Sequence, residues 1–121
     1  MAYNLKYQSA TKTKNKYNAQ RQEYNGRWYH SKKEARYAED LDWLLKAGKI
    51  REWKPQYKIE LKVNGVHICN YYCDFKVIDQ YGGVEFHEVK GAITTEFQLK
   101  WKLLQALKDE IEPGCTLVMI K

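Results

Sequence analysis

Glu34, Asp74, Glu88 and Lys90 are the residues of this 121-residue chain whose types and spacing suit chemistry. Asp74 and Glu88 stand in two runs rich in Tyr, Phe, Val and Ile, residues 71–78 and 84–90, on either side of a Gly82-Gly83 turn signal, so the stretch reads as a β-hairpin. If that hairpin is centred on Tyr81, Asp74 lies across from Glu88. The two-residue period of a strand then puts Glu88 and Lys90 on one face, ~7 Å apart. A loop centred between two residues would instead turn the carboxylates to opposite faces. Facing like charges destabilise a sheet, and buried carboxylates need a proton or a cation, so the first register asks for a metal ion. Mg²⁺ takes oxygen ligands, usually one or two carboxylates with water and phosphate. The chemistry that Asp74 and Glu88 would support is metal-assisted phosphodiester hydrolysis, with Lys90 orienting water or offsetting charge on the phosphorane. Each residue also has a plainer reading: Asp74 as a cap or edge residue, Glu88 and Lys90 as a solvent-facing pair, Glu34 as a helix cap.

The elements that must position these side chains follow from local patterns. Ser31-Lys32-Lys33-Glu34 has the form of a capping box and opens a helix running to about Ala47, with Gly48 ending it. Positions 34, 38, 41 and 45 form one stripe of that helix, so Glu34 heads the face that carries Ala38, Leu41 and Leu45. Residues 49–54 read as a connector. Residues 57–63 alternate cleanly, with Tyr57, Ile59, Leu61 and Val63 inward, and Asn64-Gly65 is a two-residue turn into residues 66–70. Residues 71–78 and 84–90 complete an antiparallel meander. Thr94 or Thr95 caps a second helix to about Ile111, with Phe97, Trp101, Leu104 and Ile111 near one stripe, and Glu112-Pro113-Gly114 breaks it. The apolar run 115–120 suits a strand buried on both faces, and a helix between two strands implies a crossover and a partly parallel sheet. The fold class expected is therefore α/β, a mixed sheet of antiparallel meander plus parallel C-terminal strand flanked by helices.

Length allows one domain, residues 27–121, preceded by a basic arm over residues 1–26. That arm has Lys6, Lys12, Lys14, Lys16 and Arg21 against the single acid Glu23, interleaved with Tyr3, Tyr7, Tyr17 and Tyr24. It reads as flexible, either lying along phosphates with its tyrosines stacking or simply solvated. Hydrophobic residues are 44% and charged residues 30%, a globular composition. A net charge of +6 and a pI near 9.1 favour an anionic partner such as nucleic acid. Cys69, Cys73 and Cys115 have no C-x-x-C spacing, which argues against a disulfide framework and a structural zinc site. No apolar run reaches membrane-span length and the start lacks the apolar core of a signal peptide, so an intracellular protein without membrane contact is expected.

The order Glu34, then Asp74, then Glu88-Val89-Lys90, with the first acid on a helix and the rest on adjacent strands, resembles the PD-(D/E)XK nuclease superfamily, whose restriction-endonuclease-like core is a helix, a three-stranded meander, a helix and a further strand. More narrowly, S-K-K-E-A-R-Y-A at 31–38, P-Q at 55–56, C-D-F at 73–75 and E-V-K-G at 88–91 followed by T-T-E-F-Q-L-K are similar to a family of short phage-encoded nucleases. The likeness covers roughly residues 17–121 and extends more distantly to archaeal Holliday-junction resolvases and the endonuclease subunit of heteromeric transposases. The resemblance implies that Asp74 and Glu88 bind Mg²⁺ or Mn²⁺, with the Val89 carbonyl as a further ligand, Lys90 as the catalytic lysine and Glu34 as an auxiliary acid or ligand. It offers Gln56, Gln98, Lys100 and Lys102 as substrate contacts, beside Lys32 and Lys33 at the helix start. Cys73 stands where the superfamily's nominal motif has Pro.

His30, His67 and His87 are read as structural, and Trp28, Trp43, Trp53 and Trp101 as core or dimer surface. The activity expected is a divalent-metal-dependent DNA endonuclease, a homodimer acting on duplex or branched DNA in phage recombination or processing. A basic DNA-binding or assembly protein without catalysis is the alternative, and a metal-free protein-interaction domain is a third.

Overall fold

The computed structural model describes residues 20–121. Eight elements follow one another: β1 (Gln22–Tyr24), β2 (Arg27–Tyr29), α1 (Lys32–Lys46), β3 (Ile50–Val63), β4 (Val66–Asp79), β5 (Val84–Val89), α2 (Thr95–Ile111) and β6 (Thr116–Ile120). Strands β3 to β6 form a mixed sheet in the order β3-β4-β5-β6, antiparallel except for the parallel β5–β6 pair, and β1 pairs with β2 in a separate ribbon. The class is thus α/β with a mixed sheet, as the element pattern implies.

Capping chemistry sets both helix starts. Ser31 Oγ accepts the Glu34 N–H at 3.1 Å and Thr94 Oγ1 accepts the Phe97 N–H at 3.0 Å, each satisfying one orphan donor of a first turn. Asn64 and Gly65 both take positive φ, 53° and 78°, which is what a tight two-residue hairpin needs and what those two residue types tolerate. The β4–β5 hairpin is closed by Asp79: its Oδ1 accepts the N–H groups of Tyr81 and Gly83 at 2.8 Å each, and its own N–H donates to Gly83 O at 2.8 Å. The resulting register pairs Phe75 with His87 and Val77 with Glu85, so the loop is centred on Tyr81, and Asp74 and Glu88 are the next residues beyond the paired ladder.

Two apolar clusters hold the layers together. One joins Ala35, Ala38 and Leu41 of α1 to Phe75, Val77, Val89, Ile50 and Tyr29. The other joins Leu104 of α2 to Ile59, Leu61, Tyr71, Cys73, Phe86 and Cys115. On a regular strand Tyr71, Cys73, Phe75 and Val77 would share one face, yet the first two pack with the α2 cluster and the last two with the α1 cluster. The alternation therefore changes phase at Asp74. The neighbouring strand does the same: Tyr57 pairs with Cys73 and Pro55 with Phe75, while Gln56 between them sits at φ 50°.

Several sequence expectations change. The stretch 49–54 is not a connector, because β3 begins at Ile50 and pairs along β4 through Ile50↔Asp79. The arm 1–26 is partly structured, since Gln22–Tyr24 pairs with β2; the part before residue 20, including Tyr3, Tyr7 and Tyr17, lies outside the described residues. Strand β6 is an edge strand whose residues are half-buried or exposed rather than covered on both faces. Val63 is 38% exposed at the hairpin tip and Leu45 39% exposed in the last turn of α1, both beyond the reach of the facing layer. Among the described residues no helix is long and apolar enough to cross a membrane, and Cys69, Cys73 and Cys115 are free thiols.

Candidate active site

Glu34, Asp74, Glu88, Val89 and Lys90 line one cavity of about 400 Å³ between the start of α1, the middle of β4, the end of β5 and the loop into α2. Three different features bring them there. The Ser31 cap fixes the first turn of α1 and places Glu34 on its inner stripe beside Ala35 and Ala38. The Tyr81-centred turn sets the register of the two inner strands. The phase change at Asp74 lets Cys73, Asp74 and Phe75 all be buried in succession.

Burial makes this placement costly unless each acid is partnered. Glu34 is 9% and Asp74 8% exposed. Asp74 Oδ2 accepts the Val89 N–H at 2.9 Å, and Gln56 Nε2 stands 3.5 Å from Oδ1, at the outer edge of hydrogen-bond distance. Tyr71 donates its hydroxyl to Glu88 Oε1. The Asp74 and Glu88 carboxyl groups also act on each other, each bearing on the other's ionisation. Desolvation, then the charges of Glu34 and Glu88, push the Asp74 carboxyl well above its ordinary range, against the Val89 N–H, which favours the ionised form. Desolvation raises Glu88 to about 7, with Tyr71 and Asp74 pulling the other way through their hydrogen bonds. Burial and like charge thus favour the protonated forms of both groups.

This donor set fits a hard divalent ion. The carboxylates offer only oxygen, burial and like charge leave both short of a counter-charge, and the cavity leaves room for water and phosphate. Among the described residues no three His, Cys, Asp or Glu side chains are gathered into a complete metal-binding group. Two carboxylates with open positions is the arrangement Mg²⁺ takes where substrate phosphate supplies the remaining ligands.

The remaining candidates separate. Lys33 Nζ donates to Lys90 O at 3.3 Å and so stands beside the cavity. Lys32 lines a different groove, between α1 and the β1–β2 ribbon. Gln56 is buried behind Asp74. Gln98, Lys100 and Lys102 lie along α2 outside the cavity lining, with Lys100 paired to Glu96 at 2.9 Å. His87 is structural as read: Nδ1 meets the Tyr37 hydroxyl at 2.5 Å and Nε2 meets Glu85 at 2.7 Å. His67 pairs with Glu60 at 2.8 Å on the surface.

Two residues of the site are not among the site candidates that the sequence offers. His30, read as structural, lines the cavity. Tyr71 has no signal at all in a two-residue period, since only the phase change at Asp74 turns it toward Glu88.

A mixed α/β sheet with buried acids where its inner strands meet the start of a helix is the class that fold and site define. The chain belongs to a family described as a protein of unknown function (DUF1064), whose model matches residues 14–115. No curated protein and no solved structure matches it.

Proposed function

We propose that this protein is a divalent-metal-dependent endodeoxyribonuclease with a restriction-endonuclease-like core of the PD-(D/E)XK type, hydrolysing phosphodiester bonds of duplex or branched DNA with Mg²⁺ or Mn²⁺. The observation that carries the reading is the meeting of the buried Asp74 and the half-buried Glu88 in one cavity with Glu34, Val89 and Lys90. A structural ion pair or cap would not bring three acids and a lysine from a helix and two strands to the same cavity.

Asp74 and Glu88 would hold the ion, with the Val89 carbonyl beside them and Glu34 facing them from α1. A divalent ion held there supplies charge against a phosphoryl oxygen and acidity to water. The protein's own groups do the rest. The Lys90 ammonium, exposed at the cavity mouth, orients the attacking water and offsets charge as the P–O bond to the leaving sugar oxygen breaks. Water adds to phosphorus, its protons pass to solvent and to the departing oxygen, and the products are a phosphomonoester and a hydroxyl. Lys33, held on the Lys90 carbonyl, adds a second cation at the same mouth. No serine or cysteine nucleophile is needed.

The test is cleavage of supercoiled plasmid and of synthetic four-way junctions with Mg²⁺ or Mn²⁺ by wild type and Asp74→Ala. Wild type should nick or cut and the variant should lose at least about a hundredfold in rate, as loss of a principal ligand does. Equal cleavage by both would remove the assignment. Salt-sensitive DNA binding with no product from either would instead favour the non-catalytic alternative.

A further inference from the structure

We propose that Tyr71 is a positioning residue that makes Glu88 a one-oxygen ligand and so biases the site toward small octahedral cations; this rests on Asp74 and Glu88 being the metal ligands. Tyr71 is 4% exposed, and its hydroxyl donates to Glu88 Oε1. The ring is held from behind by an edge contact with Trp101, centroids 6.3 Å apart, and Trp101 is stacked on Phe97 at 5.9 Å. Phe97 in turn lines the cavity. An aromatic row on α2 thus fixes the tyrosine, and the tyrosine fixes the carboxylate.

The chemical consequence lies in which oxygen is offered. An oxygen that already accepts a buried hydrogen bond is the poorer electron donor, so a cation meets Oε2 while Oε1 stays with Tyr71. Mg²⁺ and Mn²⁺ take single carboxylate oxygens in a tight octahedron. Ca²⁺ takes six to eight looser oxygens and commonly grips both oxygens of one carboxylate. Removing the hydroxyl frees Oε1 and lets Glu88 rotate toward two-oxygen binding. Partners of this kind, which orient a ligand without touching the ion, are typically worth about 10–100-fold in metal affinity.

The experiment is calorimetric titration of wild type and Tyr71→Phe with MnCl₂ and with CaCl₂, without DNA, after circular dichroism has checked that each is folded. Phenylalanine keeps the ring against Trp101, and Trp101→Phe, which keeps the hydroxyl but loosens its backing, is the second variant. Tyr71→Phe should weaken Mn²⁺ about tenfold or more while Ca²⁺ weakens less, so the ratio of Ca²⁺ to Mn²⁺ affinity rises; Trp101→Phe should shift the ratio the same way by less. Equal weakening of both ions would mark a merely structural role and overturn the proposal, as would no change, or the lack of any Mn²⁺ binding by wild type. Plasmid cleavage, measured separately, distinguishes the two readings: cleavage with an unchanged ion ratio removes the role of Tyr71 alone, and a shifted ratio without cleavage removes the nuclease assignment alone.

Discussion

Glu88 illustrates what an acid in the interior of a sheet does to a protein. Its carboxyl group is taken out of water between Tyr71 and Asp74, with Glu34 adding repulsion, and its pKa rises to about 7. A carboxyl whose folded-state pKa exceeds its unfolded one contributes most to stability below its unfolded pKa and loses that contribution as pH rises through the folded value. In EDTA, wild type should therefore lose stability between about pH 5 and pH 8. Glu88→Gln keeps an oxygen for Tyr71 and cannot ionise, so the stability difference between variant and wild type should grow across that window by a few kcal/mol, at roughly 1.4 kcal/mol for each pH step between the unfolded and folded pKa values. Adding Mn²⁺ should restore wild type at pH 8 and leave Glu88→Gln almost unmoved. Urea melts at the two pH values measure this, and parallel behaviour of the two proteins would remove the buried-acid account.

At the scale of elements, the site depends on one turn. Asp79 holds the N–H groups of Tyr81 and Gly83, and that grip centres the β4–β5 loop on Tyr81, so Asp74 and Glu88 come next beyond the last paired residues, Phe75 and His87. A Cβ on Gly83 would lie 2.6 Å from Asp79 Oδ2 and push the carboxylate off the turn. Gly83→Ala and Asp79→Ala should each cost about 1–2 kcal/mol of stability, the scale of lost turn and capping bonds, and should also weaken Mn²⁺ binding although neither touches the cavity. Loss of stability with unchanged metal affinity would show that register is held by the sheet alone. Much of this was legible in the sequence because it is local: Gly82-Gly83 marks the turn, Ser31 and Thr94 mark the caps, and Asn64-Gly65 marks the other hairpin. What stayed hidden is non-local. The left-handed backbone at Gln56 and the phase change at Asp74 are agreed between two strands, and no window on either strand contains both. The strand over residues 50–54 is hidden for the same reason, since Trp53 and Ile50 are strand residues only because α1 and β4 lie beside them.

The site holds the buried acids Glu34 and Asp74 and the half-buried Glu88 behind a mouth bearing Lys33 and Lys90, in a chain whose net charge is +6. Acids alone would repel a phosphodiester. Two cations at the mouth oppose that field, and an ion between Asp74 and Glu88 would cancel what remains inside. DNA affinity should therefore depend on both salt and metal, in separable ways. In EDTA, the logarithm of affinity for a short duplex or junction should fall linearly with the logarithm of salt concentration, with a slope of about −0.9 per phosphate neutralised on duplex DNA. Lys90→Ala and Lys33→Ala should each make the slope shallower by about 1 if each meets one phosphate. Asp74→Ala in EDTA should bind DNA more tightly than wild type, because it removes an acid facing the backbone, and this gain should vanish when Ca²⁺ fills the wild-type site. Fluorescence anisotropy across a salt series checks all three variants. Slopes unchanged by both lysine substitutions would mean that DNA lies on another face of the protein, and the cavity would then lose its claim to a nucleic-acid substrate.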